Sequence, residues 1–430
     1  MTITVTNVRV FDGEELAPVS AVRFDRDGIV GLGGPDLLRS GGEHVDGLGG
    51  TVLPGLIDAH VHLLPGCPSQ ALTFGVTTLL DMFSKPPLVG ECIEKGRTAT
   101  GANVFSSSIG ATAPGGHPSM MYAPFPYVTG PADAEAFVAD RRAEGASYLK
   151  VLYEGGRNIE WPMPALDLAT IEALVAAAHR AGLLVAAHVH RAADAVDLVR
   201  RGVDVLAHVP TDDLDDRQVQ AIAASGAAVI ATLSVADGFP RVGRPMPLLE
   251  QPALARRLGP AWTRVLQAQA TRWRPPQLPD FATAHANVGR LHRAGVRILA
   301  GTDAPNPGTV HGASLHRELQ RLVRSGLSSV AALQAATGAV ADTFGLDGRG
   351  RIAVGNPADL LLTYGRPDQS VDDSQTIVAV WKGGQEAPID GYVGSAAESA
   401  GIAALREQTE RVLTAVAQRF PQFTAADRPD

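Results

Sequence analysis

The chain has 430 residues, which suits a large domain with a smaller one attached, so we expect two domains. Hydrophobic residues make up 45% of the chain and charged residues 19%, a composition that excludes an intrinsically disordered protein. The net charge of -8 comes without clusters of Lys or Arg, which argues against a nucleic-acid partner, and the two cysteines, Cys67 and Cys92, form neither a disulfide framework nor a Cys-x-x-Cys metal knuckle.

The amino-terminal segment, residues 1–52, alternates apolar and polar positions in short runs, which predicts a small β-domain. No basic region leads into a long apolar run there, and no stretch of the chain reaches the ~18 apolar residues that a membrane span needs. We therefore expect a cytoplasmic protein without a membrane partner. The sequence leaves open whether the chain forms a homo-oligomer.

The pattern then changes to short apolar runs followed by longer amphipathic segments, which is typical of βα units in a parallel sheet. The candidate strands are 53–60, 75–82, 103–108, 147–153, 184–190, 205–209, 227–233 and 297–303. Candidate helices lie at 132–144, 168–181, 191–201, 214–224, 281–294 and 312–325. Eight parallel strands close a barrel, so we predict an α/β fold with a (β/α)₈ TIM barrel.

Strand character returns near the carboxyl end, at 359–365 and 376–385, and we expect these strands to complete the amino-terminal β-domain. The final segment has the 3.6-residue period of a helix. The predicted organisation is therefore a small β-sandwich domain formed from both chain ends, a barrel inserted into it, and a carboxyl-terminal helix. The bounds are residues 1–52 plus 351–395, residues 53–350, and residues 396–430.

One stretch, residues 236–279, fits no simple βα unit. It is rich in Pro, Arg and Leu, carries Trp262 and Trp273, and leaves the carboxyl end of the seventh candidate strand. Connections of this length are uncommon in barrels unless they act as lids or binding loops. We interpret the stretch as an insert that determines substrate specificity, although a solvated Arg-rich helix remains the alternative.

Several side chains that can bind metal stand at the carboxyl ends of candidate strands. His60 and His62 end the first strand as His-x-His, and residues two apart on a strand share a face, so both imidazoles can point into the barrel mouth. His188 closes the fifth strand, His208 the sixth and Asp303 the eighth. Each alone would be an ordinary buried or capping residue, but together they predict a metal site where barrel enzymes assemble their active sites, with zinc as the expected metal.

Lys150 lies within an apolar strand that should be buried, where an unpaired ammonium is costly. Two compensations are open. The amine can react with carbon dioxide to give an anionic carbamate that bridges two cations, since desolvation lowers a lysine pKa. Alternatively, Lys150 is an ordinary lysine paired with Asp81 or Glu154.

The order and spacing of PGLIDAHVH, Lys150, AAHVH, LAHV and AGTD resemble the amidohydrolase superfamily, in its imidazolonepropionase-like and Xaa-dipeptidase-like branch. Further matches are GGH at 115–117, HGASLHREL at 311–319, AATGAVADTFGL at 335–346 and GRIAVGNPADLLL at 350–362. The resemblance covers nearly the whole chain. It is specific for the superfamily and carries little information about the substrate.

The resemblance implies a centre of one or two divalent cations, and the presence of Lys150 favours two. His60, His62 and Asp303 would bind the first, His188 and His208 the second, and carbamylated Lys150 would bridge them. Water between the cations would be the nucleophile, and Asp303 would accept its proton and pass it to the leaving amine, while a metal polarises the scissile carbonyl. Asp303 and Lys150 are therefore the expected catalytic residues.

Four further residues are candidate substrate contacts. His190 shares a strand face with His188, with a supporting hydrogen-bond role equally open, and His117 follows two glycines in a loop. His311 follows the eighth strand, and Tyr153 ends the fourth, where it could donate a hydrogen bond to the tetrahedral intermediate. For both, a packed structural role is the alternative. Cys67 has no evident partner base, so we do not interpret it as a nucleophile.

The function expected from these residues is hydrolysis of a C–N bond in a small molecule, such as an amide, a peptide or a cyclic amide. The alternatives are hydrolysis of an ester, lactone or carbamate on the same metals, a non-hydrolytic biosynthetic reaction, and a barrel that keeps its cluster only for binding.

Overall fold

The computed structural model describes residues 1–156, 162–238, 245–269 and 280–419. Its strands are β1 Ile3–Thr6, β2 Arg9–Phe11, β3 Leu16–Ala17, β4 Ala21–Asp25, β5 Gly28–Gly33, β6 Glu43–Asp46, β7 Thr51–Pro54, β8 Leu56–Val61, β9 Val76–Asp81, β10 Asn103–Ser106, β11 Leu149–Leu152, β12 Val185–His188, β13 Val205–Ala207, β14 Ala228–Ile230, β15 Ile298–Leu299, β16 Leu360–Thr363, β17 Ile377–Lys382 and β18 Gln385–Glu386.

The helices are α1 Cys67–Leu72, α2 Pro86–Gly96, α3 Ser119–Tyr122, α4 Ala134–Ala143, α5 Leu168–Arg180, α6 Ala192–Val199, α7 Asp216–Ser225, α8 Pro252–Ala255, α9 Pro260–Gln269, α10 Phe281–Arg293, α11 Ala313–Arg324, α12 Ser329–Ala335, α13 Gly338–Phe344 and α14 Ala396–Arg419. Among the described residues, no helix combines the length and the apolar composition needed to span a membrane.

The strands β8 to β15 form the predicted barrel. They are parallel and run in two sheets, β10-β9-β8 and β11-β12-β13-β14-β15. Backbone contacts join the sheets at both seams, through a parallel bridge from Ala111 to Val151 and another from Val61 to Ala304. The order of neighbours follows the order in the chain, as βα units require. The predicted (β/α)₈ architecture is therefore confirmed.

Two apolar layers stabilise the barrel because its strands are buried on both faces. Every residue of β8 and β9 is buried. Ile57 and Ala59 of β8 pack in one cluster with Ala186, while Leu56 packs in a separate and much larger cluster that includes residues of most helices. The near-continuous apolar runs that predicted these strands follow from this double burial.

Both chain ends form the small β-sandwich. One sheet has the order β5-β4-β1-β6, and the other has the order β18-β17-β16-β7-β2-β3. In the second sheet β16 pairs antiparallel with β7, which places Leu360 opposite Pro54. Phe24 and Trp381 meet edge to face in the shared core at a centroid distance of 5.3 Å. The β-sandwich built from both ends is confirmed, whereas the residue bounds given above for the domains stay predictions.

Some elements differ from the sequence prediction. The helices α1 and α2 follow the first two barrel strands and were not predicted, because α1 has only six residues and α2 contains Pro86, Pro87 and Gly90. The segment predicted to begin a helix at residue 132 opens with a 3-10 turn, Pro131–Asp133, before α4. The insert contains α8 and α9, and its residues 239–244 and 270–279 lie outside the described residues. Residues 420–430 also lie outside them.

Candidate metal centre

One cavity at the carboxyl ends of the barrel strands brings the predicted ligands together. Its volume is about 240 Å³. The side chains that line it include all six predicted ligands, His60, His62, Lys150, His188, His208 and Asp303, together with His117 and His190. The six predicted ligands lie on or shortly after five strands, β8, β11, β12, β13 and β15. The barrel assembles them because the carboxyl ends of parallel strands meet at one face.

Asp303 lies at the centre of the first group. Its Oδ1 atom is 3.1 Å from Nε2 of His62 and 3.4 Å from Nε2 of His60, and its Oδ2 atom is 3.8 Å from Nε2 of His208. The candidate ligand atoms of His60, His208 and Asp303 all lie within 4.8 Å of one another. A carboxylate facing three imidazole nitrogens is a donor set that suits zinc and related divalent cations.

His188 and His208 define a second group. Nδ1 of His188 is 3.2 Å from Nε2 of His208, and candidate ligand atoms of His188, His190 and His208 also lie within 4.8 Å of one another. Burial lowers the pKa of His60, His188 and His208 well below the usual value of histidine. Neutral imidazoles result, and a neutral imidazole is the form that offers a lone pair to a metal.

The loop after β14 determines which nitrogen of His208 faces the cavity. The Thr232 hydroxyl donates to the carbonyl of Ala231 at 2.9 Å, so its oxygen must accept the hydrogen bond from Nδ1 of His208 at 2.5 Å. Nε2 of His208 then carries the lone pair. Thr232 has a φ of 48°, a left-handed conformation that is rare for a β-branched residue and that the surrounding structure must enforce.

Lys150 is 1% exposed and has no hydrogen-bond partner for Nζ among the described residues. The carboxylates weighed as its partners are engaged elsewhere. Asp81 accepts hydrogen bonds from the Ser84 and Ser106 hydroxyls at 2.6 and 2.5 Å, and Glu154 lies 2.7 Å from Nδ1 of His190. Burial lowers the pKa of Lys150 to about 7, so the neutral amine is accessible near neutral pH.

Buried polar atoms that lack hydrogen-bond partners indicate whether these residues could hold a divalent cation. Among the described residues, four buried atoms of this cluster have no hydrogen-bond partner: Nδ1 of His60, Nζ of Lys150, Nε2 of His188 and Oδ1 of Asp303. Buried polar groups without partners are uncommon in folded proteins and need an explanation. Their concentration in one cavity fits a site built for cations.

The four candidate substrate contacts divide into two pairs. His117 and His190 line the cavity, and the His117 ring stacks on that of His188 at 4.8 Å. His311 and Tyr153 are not among its lining residues. The His311 ring donates from Nε2 to the carbonyl of His62 at 2.8 Å, and Tyr153 packs against the hydrophobic core. The structure thus places His311 behind a ligand and Tyr153 outside the cavity.

Sequence reasoning missed several residues of the cavity. Apolar and polar side chains from other parts of the chain complete its wall: Phe83, Met121, Tyr122, Leu152, Val235, Asn306, Leu405, Gln408, Thr409 and Val412. The last four belong to α14, and their spacing places them on one helix face. The helical spacing of these four residues could be recognised in the sequence. It does not indicate which part of the barrel this face of α14 contacts.

Comparison with known proteins agrees with this architecture. The sequence model of the amidohydrolase family matches residues 51–387. Ochratoxinase from Aspergillus niger is 25% identical to this chain, and the match covers 78% of this chain and 75% of that protein.

Solved structures show the same fold. A Xaa-Pro dipeptidase with bound methionine superposes with a TM-score of 0.71 at 21% identity, covering 92% of this chain and 100% of the other. Phenylurea hydrolase B superposes with a TM-score of 0.67 at 20% identity, covering 90% of this chain and 97% of the other.

Proposed function

The chain belongs to the amidohydrolase family, and from this premise we propose that it hydrolyses a C–N bond of a small molecule, in an amide, a peptide or a cyclic amide. The single observation that carries the proposal is the convergence of four imidazoles, a buried lysine and a carboxylate on one cavity. The names of two similar structures, a Xaa-Pro dipeptidase and a phenylurea hydrolase, also denote cleavage of C–N bonds.

The residues that would hold the cations follow from the two groups of ligand atoms. His60, His62 and Asp303 would bind one cation, and His188 with His208 would bind the other. Zinc is the proposed metal, because imidazole nitrogens with one carboxylate are among its common ligands. When bound, such cations supply a water whose pKa is lowered towards neutrality and a Lewis acid that polarises the scissile carbonyl.

Lys150, as a carbamate, would supply a further anionic ligand to the centre. Its neutral amine would form an N–C bond to the carbon of carbon dioxide while one C–O π bond opens onto oxygen. The proton lost from nitrogen would pass to solvent, which leaves one negative charge on the new carboxylate. The unpartnered Nζ atom supports this assignment, since an ammonium buried without a partner is unfavourable. The carboxylate oxygens of the carbamate would balance part of the positive charge of cations that are buried in the apolar barrel.

Asp303 would be the proton carrier. Its side chain is 12% exposed to the cavity, and Oδ1 has no hydrogen-bond partner among the described residues. These features support a carboxylate that would accept a proton from the attacking water and deliver it to the departing nitrogen. His117 and His190, on the same cavity, would contact the substrate.

Replacement of Asp303 by Asn tests the proposal directly. We expect Asp303→Asn to lose turnover of amide substrates by about 10²–10⁴-fold or more, because an amide cannot carry the proton. The assay uses purified full-length protein loaded with zinc, against panels of amides and of esters. Asp36→Asn, at a carboxylate 84% exposed on the surface, is the matched control and should keep full activity.

Two results would count against the proposal. Unchanged amide turnover in Asp303→Asn would remove the proton carrier from the mechanism. Turnover of esters alone, with no amide hydrolysed, would replace the proposed bond type with the ester alternative.

A further inference from the structure

The carboxyl-terminal helix α14 forms part of the wall of the candidate active site. Leu405, Gln408, Thr409 and Val412 line the same cavity as the six predicted ligands. Their spacing of three, four and seven residues places them on a single helix face. This face is therefore available to a substrate that binds in the cavity.

Specific contacts hold α14 in this position. The Glu398 carboxylate, 3% exposed, accepts hydrogen bonds from Nε1 of Trp262 at 3.2 Å and from the Tyr392 hydroxyl. Ile402 is buried in the main hydrophobic core, and the Gln408 amide donates to the carbonyl of Met121. The helix is thus anchored at its first turn to α9 of the insert and further along to α3.

Apolar and aromatic side chains from other elements line the same cavity as α14. Phe83 and Tyr122 stack at a centroid distance of 5.6 Å and an interplanar angle of 26°. Leu152 and Phe83 belong to one buried apolar cluster. Among the described lining residues, the ionisable groups are those of the candidate metal centre, His117, His190 and Tyr122. Burial raises the pKa of the Tyr122 hydroxyl, which keeps that group neutral.

The helix α14 lies outside the segment of the chain that matches the family model. The family match ends at residue 387, and α14 begins at Ala396. The ligand-bearing strands therefore lie inside the match and the α14 wall lies outside it. A wall of this kind can vary while the chemistry at the strand ends is kept.

We propose that Leu405 and Val412 of α14 determine specificity by seating an uncharged apolar group of the substrate, such as a phenyl ring, against Phe83 and Tyr122. The substrate class is then an amide whose part remote from the scissile bond is apolar, rather than one with a remote carboxylate. This inference rests on the proposed amide hydrolysis. Its basis is the apolar lining that α14, Phe83, Tyr122 and Leu152 contribute to one cavity, together with the contacts that anchor α14.

Three primary amides test the inference, because ammonia is their common product and only the remote group differs. They are 3-phenylpropanamide, 3-(4-carboxyphenyl)propanamide and propanamide. The zinc-loaded full chain should show the highest kcat/KM for the phenyl compound. Leu405→Ala should lower that value about tenfold through the lost apolar contact, and should leave propanamide within about twofold.

Arg406→Ala is the matched control, since Arg406 neighbours Leu405 but is exposed and is not among the residues that line the cavity. It should leave all three values unchanged. Thermal unfolding and zinc content of both variants should equal those of the wild type, which separates a specificity effect from misfolding. The inference is overturned if the carboxylate compound is the best substrate, or if Leu405→Ala lowers kcat/KM equally for the phenyl compound and propanamide.

The methyl esters of the same three acids separate this inference from the proposed bond type. Turnover of the esters alone, with the phenyl preference and its loss in Leu405→Ala, contradicts amide hydrolysis and supports the α14 wall. If neither series is turned over, calorimetric titration of the three amides decides. Tighter binding of the phenyl compound to the wild type than to Leu405→Ala supports the wall, and equal binding overturns it.

Discussion

Hydrogen bonds behind the imidazoles determine which ring nitrogen faces the candidate metal centre. Nδ1 of His62 lies 3.2 Å from the carbonyl of Phe83, which can only accept, so this nitrogen carries the proton and Nε2 is left for a cation. The Thr232 hydroxyl has the same effect on His208. Such contacts fix the tautomer and the ring orientation before any metal binds.

Removing the Thr232 hydroxyl tests this positioning role. Thr232→Val keeps the side-chain shape but leaves Nδ1 of His208 without an acceptor, so we expect zinc affinity to fall by about 10–100-fold. Thr232→Ser restores the hydroxyl and should bind zinc nearly as well as the wild type. Competition with a chelating dye measures both affinities. Wild-type affinity in Thr232→Val would show that the hydrogen bond does not position the ligand.

The buried Lys150 predicts a pH dependence for assembly of the centre. Its pKa is lowered to about 7 by burial, so the neutral amine that reacts with carbon dioxide predominates above that value and is lost below it. Metal-free protein given zinc and ¹³C-labelled bicarbonate should develop a carbamate signal by NMR at about pH 8.5, and much less of it at about pH 6. Lys150→Gln should abolish the signal, whereas Lys85→Gln, at an exposed lysine, should retain it. A signal that persists in Lys150→Gln would refute the assignment.

At the scale of elements, capped helices support the barrel strands from outside. The Asp167 side chain precedes α5 and accepts a hydrogen bond from the backbone N–H of Thr170 at 2.7 Å. Side-chain and backbone hydrogen bonds from Thr170 lower the pKa of Asp167 below its usual value. A carboxyl group whose pKa is lower in the folded state stabilises that state above its unfolded pKa, and the contribution is lost as the pH falls through the folded pKa.

Replacing this cap should therefore have an effect that depends on pH. Asp167→Ala should lower the denaturation midpoint at neutral pH, and the difference from the wild type should shrink as the pH falls below the usual carboxyl pKa of 3.8. Urea unfolding at a series of pH values provides the measurement. Glu172→Ala, at an exposed position of the same helix, is the control. A difference that is constant over the series would contradict the role of the charged cap.

The elements that the sequence predicted well are those with double burial. Strands such as β8 and β12 are short apolar runs in the sequence because both of their faces are covered by other residues. The residues that can bind metal are therefore easy to recognise at the ends of these runs. Short helices that contain proline or glycine, such as α2, were missed because these residues disfavour a helix in the sequence pattern. The period of α14 predicted a helix, but periodicity alone does not identify the surface on which a helix packs.

At the scale of the whole molecule, topology explains why six distant residues could be predicted to converge. A closed parallel barrel brings every strand end to one face, so residues such as His60 and Asp303 meet although they lie far apart in the chain. No comparable rule governs the loops. The contacts of Thr232, Glu154 and Tyr122 depend on loop conformations and side-chain packing that the sequence pattern does not encode.

The central claim is that this one cavity binds the catalytic cations, and anomalous X-ray diffraction at the zinc edge tests it most directly. Crystals of the zinc-loaded protein should show one or two anomalous peaks among His60, His62, His188, His208 and Asp303, with added density on Nζ of Lys150 if the carbamate forms. The absence of any peak from this cavity, or a bound metal held by residues elsewhere in the chain, would contradict the account.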